Sequence, residues 1–333
     1  MEASLQKLNI LLGRLQENKG IEEPGLSDAT DFRTCEDGFS LDYKQEFGPQ
    51  NLAQGVFGQP QEVKGLASCE AKISIPAIPT GDPLVPPNVN DFLYCSGLTV
   101  ALTGVFPIDY VQSSNITSDC SDMTLWAYTG DKGTSNSLMT KTHSVMFDCK
   151  ISGELGKPLM FEFSGKGAVE DKPTGSDYPD GALALLSDRV PAVIKTTAMT
   201  IGGIEGMKIL KFDLSLGNKV ELVKDSSKKY GYTQATIVGR EVKFSAQVLQ
   251  ENLGSDSSNP IQKLVGEILG NFKIEINGAE PSTETKITIA SASGMCALTG
   301  VKQASESGLN VFDISGIFVN NDLKISFNGP GGP

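Results

Sequence analysis

The chain says much of what it says twice, and that limits its fold more than any other feature. Four stretches recur in the same order in its two halves, and self-similarity in fixed order is the mark of a duplicated unit. GFSLDYKQEFG around Phe39 resembles LKFDLSLGNKV around Phe212. CEAKIS at 69–74 resembles REVKFS at 240–245, so Glu70, Lys72 and Ser74 return as Glu241, Lys243 and Ser245. PPNVNDFLYCSG resembles NPIQKLVGEILG, with Pro87 and Gly97 returning as Pro260 and Gly270; each pair frames a helix of about three turns that opens with proline and ends at glycine. VMFDCKISGELGKPLMFEFSGKG resembles NVFDISGIFVNNDLKISFNGPG, which matches Phe147-Asp148 to Phe312-Asp313 and Phe163-Ser164-Gly165 to Phe327-Asn328-Gly329.

Between these landmarks the pattern is that of strands. Phe39–Tyr43, Ala71–Ile75, Val145–Ile151, Leu159–Phe163, Lys211–Leu216, Glu241–Ala246, Asn271–Ile276 and Lys324–Phe327 alternate apolar with polar residues, the period of a half-buried strand. The fold class expected is mainly β: two tandem β-sandwich or barrel units, each with one short flanking helix. Residues 31–170 form the first unit and 196–333 the second, with a Pro-, Gly-, Asp- and Ser-rich linker over 171–195. Leu5, Leu8, Leu11, Leu12 and Leu15 fall on one face of a helix, so residues 1–30 read as an N-terminal helix or arm.

Composition removes several classes of function. With 28 Lys and Arg against 40 Asp and Glu, the net charge is −12, which disfavours a grip on nucleic acid or anionic lipid. The six cysteines, at 35, 69, 95, 120, 149 and 296, contain no C-x-x-C pair and read as buried thiols of a cytosolically made protein. The N-terminus has neither the charge pattern nor the apolar run of a signal peptide or a membrane span.

The search for chemistry finds no usable constellation. His143, the sole histidine, would have to serve any Ser-His or Cys-His device; the second half has no counterpart, and a surface or interface position is expected instead. GELGK at 153–157 lacks the spacing of a phosphate loop and joins two strands, so it reads as a hairpin turn. Asp148 and Asp313 fall in separate units rather than across one cleft. Trp126 and Tyr128 share a strand face, as expected of an aromatic face packed on a neighbouring strand rather than of a carbohydrate platform. No catalytic residue, cofactor or metal site is expected, and a duplicated acidic β protein without them reads as structural.

Three stretches give the pattern a family likeness. They are KLNILLGRLQENKG at the N-terminus, THSVMFDCKISGELGKPLMFEFSGKG at 142–167, and KILKFDLSLGNKVELVKDSSKKYGYTQATIVGREVKFSAQV at 208–248. In this order they resemble the major tail tube proteins of long-tailed, non-contractile bacteriophages, in the version with two tandem tube domains. The resemblance implies a virion protein assembled in the bacterial cytoplasm, whose rings stack into a hollow tube. It implies a tape-measure protein inside the tube, terminator and distal tail proteins at its ends, and DNA that passes through without specific binding. Six units close a ring in single-domain versions, so three two-unit chains are expected here, a pseudo-hexamer. Glu70, Lys72, Glu241 and Lys243 share the polar face of their strands and are candidates to line the lumen, which three chains at −12 each would bias acidic. Phe147, Asp148, Phe163, Gly165, Phe312, Asp313, Phe327 and Gly329 are expected to be structural residues of a closing hairpin present twice. The connections Gln45–Lys64 and Asn218–Tyr230 exceed what a hairpin needs and are expected to reach a neighbouring ring. Another virion β protein, such as a terminator or decoration protein, and a two-domain binding module or adhesin are the alternatives.

Overall fold

A computed structural model of the chain describes residues 7–21, 30–32, 38–49, 62–79, 84–101, 106–113, 120–131, 138–176, 191–194, 197–201, 204–249, 270–277, 286–291, 295–306 and 308–328. The protein is mainly β, as its alternation predicts. The first half supplies β1 (Lys7–Leu15), β2 (Thr30–Phe32), β3 (Phe39–Pro49), β4 (Glu62–Pro76), α1 (Asn90–Cys95), β5 (Leu98–Val100), β6 (Ile108–Gln112), β7 (Met123–Asp131), β8 (Leu138–Glu154), β9 (Met160–Ala168) and β10 (Thr174–Gly175). The second supplies β11 (Thr197–Ile201), β12 (Ile204–Met207), β13 (Ile209–Ser215), β14 (Lys219–Lys224), β15 (Tyr232–Gly239), β16 (Lys243–Leu249), β17 (Phe272–Asn277), β18 (Lys286–Ser291), β19 (Cys296–Glu306), β20 (Leu309–Phe318) and β21 (Leu323–Asn328).

A front sheet runs through both halves in the order β3-β4-β9-β8-β13-β16-β20-β19, every neighbour antiparallel. It is one four-stranded module written twice. The apolar row Phe39–Ile73–Phe163–Cys149 crosses the first module, and Phe212–Ala246–Ile314–Val301 crosses the second at the same rungs. The next core-facing row is Leu41–Ala71–Gly165–Phe147, matched by Leu214–Phe244–Gly316–Leu298. Its two glycines are required by close approach. A Cβ on Gly165 would stand 2.4 Å from Met146 O, and one on Gly316 would stand 2.5 Å from the Phe244 ring.

Behind the front sheet lies a second layer. In the second half it is β12-β11-β17-β18-β21, extended by β6 and β5 from the first half; in the first half it is β2-β1-β7 with the leading part of β8. The apolar faces of the layers meet in a continuous core that includes Leu11, Phe147, Phe163, Phe212, Phe272 and Phe327, each large side chain contributing about 1.5–3 kcal/mol by leaving water. Helix α1 closes the first half by packing Phe92 on Phe163 and Phe147, at ring distances of 4.9 and 5.5 Å.

Several sequence expectations change. The N-terminal segment is a strand, not a helix: β1 pairs with β7 from Lys7↔Asp131 to Leu15↔Met123. Its leucine run suits a strand buried on both sides, with Leu11 in the main core and Ile10 and Leu12 packed on Trp126 and Tyr128; the helical spacing yields to that two-sided burial. The closing hairpin is not present twice as matched. β20 occupies the place of β9, not of β8, and β21 leaves the front sheet to pair with β18 and β6. Phe312 and Asp313 therefore correspond to Phe161 and Glu162, Gly165 corresponds to Gly316, and Phe327 belongs to the rear layer. Gly329 lies outside the described residues, as does most of the expected second helix at 260–270. Helix α1 is shorter than expected, at six residues. The expected linker is anchored at its end: Ala192 and Ile194 are buried and bond Ala77, Leu159 and Lys157 through their backbones.

Candidate functional site

The polar face of the front sheet is the most extensive candidate surface, and the repeat builds it twice. Ser40–Lys72–Ser164–Asp148 crosses the first module where Asp213–Ser245–Ser315–Gly300 crosses the second. The two open troughs on this face coincide under the same superposition. One is floored by Ser40, Lys72, Ser74, Lys150, Glu162 and Ser164, the other by Asp213, Ser245, Gln247, Lys302, Asp313 and Ser315. Serines separate charges of both signs, and four of the lysines are paired with acids: Lys150–Asp213 at 2.9 Å, Lys243–Glu241 at 2.8 Å, Lys211–Glu306 at 3.4 Å, and Lys44 bonded to Glu70. Those ion pairs hold the Glu70 carboxyl below its usual range and the Lys150 ammonium above its own. The face is thus mixed in sign.

The four residues proposed from sequence to share this face do lie on exposed or half-buried positions of it. Lys72 sits in the first trough, Glu70 beside it opposite Asp42 and Lys166, and Lys243 at the start of β16 with Glu241 just ahead. The strand register, however, aligns Lys72 with Ser245 rather than with Lys243. The letters of CEAKIS and REVKFS match two residues out of step with the hydrogen-bonded ladder.

The two modules meet at the β8–β13 joint, where Lys211↔Glu154, Phe212↔Gly153, Asp213↔Ser152, Leu214↔Ile151 and Ser215↔Lys150 pair. Here Gly217 adopts φ +61°, and a Cβ on it would stand 2.2 Å from Glu241 O. That turn sends β14 and β15 away from the sheet and over the first module, where Val220, Ala235 and Ile237 cover Met146 and Cys120. Asn218 and Arg240 lock the crossing. Asn218 donates through Nδ2 to Ser96 O at 2.8 Å and Phe147 O at 3.0 Å, and through its backbone N–H to Asp148 Oδ1 at 2.7 Å. Its Oδ1 accepts from Arg240 Nε at 2.6 Å, while Arg240 Nη2 donates to Ser96 O at 2.6 Å. Burial raises the Asp148 carboxyl above its usual range despite the bond from Asn218. Sequence reasoning assigned no role to Asn218 or Arg240, although both sit in the quoted turns LSLGNKV and TIVGREV. The segment 218–230, expected to reach another ring, is instead a hairpin held on the first half, with Lys228–Glu170 at 3.3 Å and Lys229–Asp171 at 3.2 Å.

His143 is buried rather than at the surface, 1 % exposed, where β8 bends from the rear layer to the front sheet. Its Nδ1 lies 3.0 Å from Ser144 Oγ and its Nε2 3.6 Å from Glu170 Oε1. Ser144 in turn donates to Gln16 Oε1 at 3.0 Å, and Gln16 Nε2 donates to Thr124 Oγ1 at 3.1 Å. These side-chain bonds surround a bulge at which Ser144 takes φ +52°; they fasten β1 and β7 to the bend. Trp126 is covered by Ile10, Leu12 and Met139, with Lys141 Nζ 5.4 Å from its ring centre. Cys69, Cys95, Cys120, Cys149 and Cys296 are buried thiols outside any disulfide, and burial pushes the Cys69 thiol up to about 12. Among the described residues no three His, Cys, Asp or Glu side chains stand close enough to share a metal ion, and no helix is long and apolar enough to cross a membrane. No family model matches the chain, and no curated protein matches it.

Proposed function

We propose that this chain is the structural subunit of a hollow tube of the tail-tube kind, built from rings in which each chain supplies two quasi-equivalent wall modules. The observation that carries the reading is the β8–β13 joint: one module continues into an equivalent one by strand pairing, and both turn the same Ser-rich, charge-paired face outward from the core. Propagated around a ring, that face lines a hydrated lumen. A wall on which carboxylates stand among the lysines, four of those lysines in ion pairs, offers a duplex little net attraction, because phosphate contacts are what give DNA affinity. Passage of a genome needs such indifference. The chain's net charge of −12 adds no attraction for phosphate. Three chains per ring and axial stacking of rings complete the proposal, with tape-measure, terminator and distal tail proteins as neighbours.

Negative-stain microscopy of the purified chain tests it. Hollow tubes or stacked rings with a sixfold-like outline are expected. Closed rings that do not stack would favour a terminator, and monodisperse monomers at high concentration, by light scattering, would overturn the reading.

A further inference from the structure

The front sheet ends in β3 on one side and β19 on the other, eleven residues each. In the described sheet β3 has only β4 beside it and β19 only β20, apart from Gly270 bridging Cys296 at the start of β19. Long bare edges of this kind template pairing with another chain unless something blunts them. The repeat says which strand each edge stands in for. Phe39 of β3 occupies the rung of Phe212 in β13, and Val301 of β19 occupies the rung of Cys149 in β8. β8 and β13 are already hydrogen-bonded to each other within the chain.

We propose that β19 of one copy pairs antiparallel with β3 of a second copy in the register of the β8–β13 joint, and that Lys302 and Asp42 form its ion pair. The inference rests on the wall-subunit reading for its biological setting and on the repeat for its geometry. Carrying each rung across, Ser215↔Lys150 becomes Asp42↔Lys302, Asp213↔Ser152 becomes Ser40↔Ala304, and Leu214↔Ile151 becomes Leu41↔Gln303. The lysine is retained at its position, as Lys150 and Lys302. Its carboxylate partner moves from the diagonal residue, Asp213, to the directly opposite one, Asp42, and both separations are within reach across a ladder.

Charge also selects this register over its neighbours. A slip of one residue would turn Leu41 and Phe39, which pack on the core, to the polar side. A slip of two in one direction sets Lys44 opposite Lys302, two like charges; in the other it sets Lys302 opposite Ser40 and Asp42 opposite Gly300, with no charge partner directly across. The contact is heterologous, so repeated copies form a closed ring or an open helix rather than a simple dimer.

Cysteine cross-linking reads the register directly. In the β8–β13 joint Leu216 N–H bonds Cys149 O and Leu155 N–H bonds Leu210 O, which makes Asp213↔Ser152 a non-hydrogen-bonded rung, the kind whose Cβ atoms stand closest. The double variant Ser40→Cys/Ala304→Cys, oxidised with copper phenanthroline, is expected to give a ladder of 35.4 kDa multiples that ends at the trimer if three chains close a ring. Either single variant should give no ladder, and the slipped pair Ser40→Cys/Lys302→Cys a much weaker one. Separately, Asp42→Lys and Lys302→Asp should each weaken association about tenfold, with the double exchange restoring it. Unchanged thermal melts of the dilute monomers would show that the edge variants fold. Tubes without the expected cross-link would overturn the register and leave the wall reading intact; the cross-link without tubes would keep the joint and remove the wall reading. Neither tubes nor cross-link would overturn both.

Discussion

The two modules share a sheet but send out different ribbons. In the first, β3 and β4 pair from Phe39↔Ile73 to Pro49↔Glu62, and beyond Lys44↔Ser68, where β9 ends, they run on as a two-stranded extension with one irregularity between Gln45 and Phe47. In the second, the same extension breaks after Ser215, turns at Gly217 and lies down as β14–β15 on the module beside it. Under the repeat Gly217 and Asn218 fall where the first module has Lys44 and Gln45. The second ribbon covers Met146 and Cys120 of the first module; the first leaves Phe47 56 % exposed and meets only the β14–β15 hairpin among the described residues, where Ala67 N–H bonds Tyr230 O at 3.1 Å and Leu66 packs on Gly231. The contrast shows one ladder with two outcomes, decided by a Gly-Asn pair and by whether a module lies alongside.

The largest expected effect is from Gly217→Val. A β-branched residue is strained at positive φ, and its Cβ would meet Glu241 O; strain and overpacking together should cost about 2–5 kcal/mol in urea unfolding. Lys44→Val, at the equivalent rung of the straight ribbon, should change stability by less than about 0.5 kcal/mol. Equal effects at the two positions would break the comparison. Next is Asn218→Ala, which deserts two buried carbonyls and the Arg240 guanidinium and should cost about 2–4 kcal/mol. Gln45→Ala should be nearly silent. Arg240→Lys should recover little of what Arg240→Ala loses, because one ammonium cannot span Asn218 and Ser96 as a planar fork does.

How much of this was legible beforehand follows from what sets each feature. Alternation named most of the front strands because each has one core face, and duplication was visible because Phe39 and Phe212 keep equivalent rungs. Register was not legible: FEFSG at 161–165 matches FDISG at 312–316 as well as the residues around Phe147 match those around Phe312, and only the ladder decides between them. β1 reads as a helix in the sequence because Ile10, Leu11 and Leu12 are buried on both sides of their sheet, and such a run lacks the alternation of a half-buried strand. Asn218 and Arg240 act on Ser96 and Phe147, far away in sequence. Their motifs could be seen, but their partners could not.

Acidity offers a subtler test of the joint. Asp148 stands where the second module has Gly300, and burial raises its carboxyl above the usual range in the folded protein. A carboxyl with a raised folded value favours folding most when protonated; that contribution is full below the unfolded value and is lost as pH rises through the folded one. Asp148→Asn keeps an oxygen to accept the Asn218 N–H and removes the buried charge. Its melting temperature should exceed the parent's at neutral pH, with the gap closing as pH falls below the carboxylate range. Asp91 and Asp122 are raised by the same cause, so the Asp148→Asn variant should also retain stability in mild acid. A gap independent of pH would mean that the Asp148 charge is not what the joint strains against.

The smallest effect is expected at the joint's most visible contact. Lys150 and Asp213 are 2.9 Å apart but 45 % and 49 % exposed, and an ion pair open to water on both sides contributes at most about 1 kcal/mol. Lys150→Ala should therefore barely move the melt, and less still at high salt. The joint holds through its backbone ladder, through Phe212 against Gly153, where a Cβ would stand 2.4 Å from the ring, and through Asn218. In the proposed chain-to-chain joint the corresponding pair, Lys302 and Asp42, has no covalent connection to fix the alignment of its strands. The same weak interaction then has a different task, because a difference of about 1 kcal/mol between registers is roughly a fivefold preference. Lys302→Ala should leave the melt of the dilute monomer unchanged while blurring the Ser40→Cys/Ala304→Cys ladder with slipped products. A measurable loss of monomer stability from Lys302→Ala, matching that from Lys150→Ala, would place both lysines in the same structural role and erase the distinction between the joint inside the chain and the edge outside it.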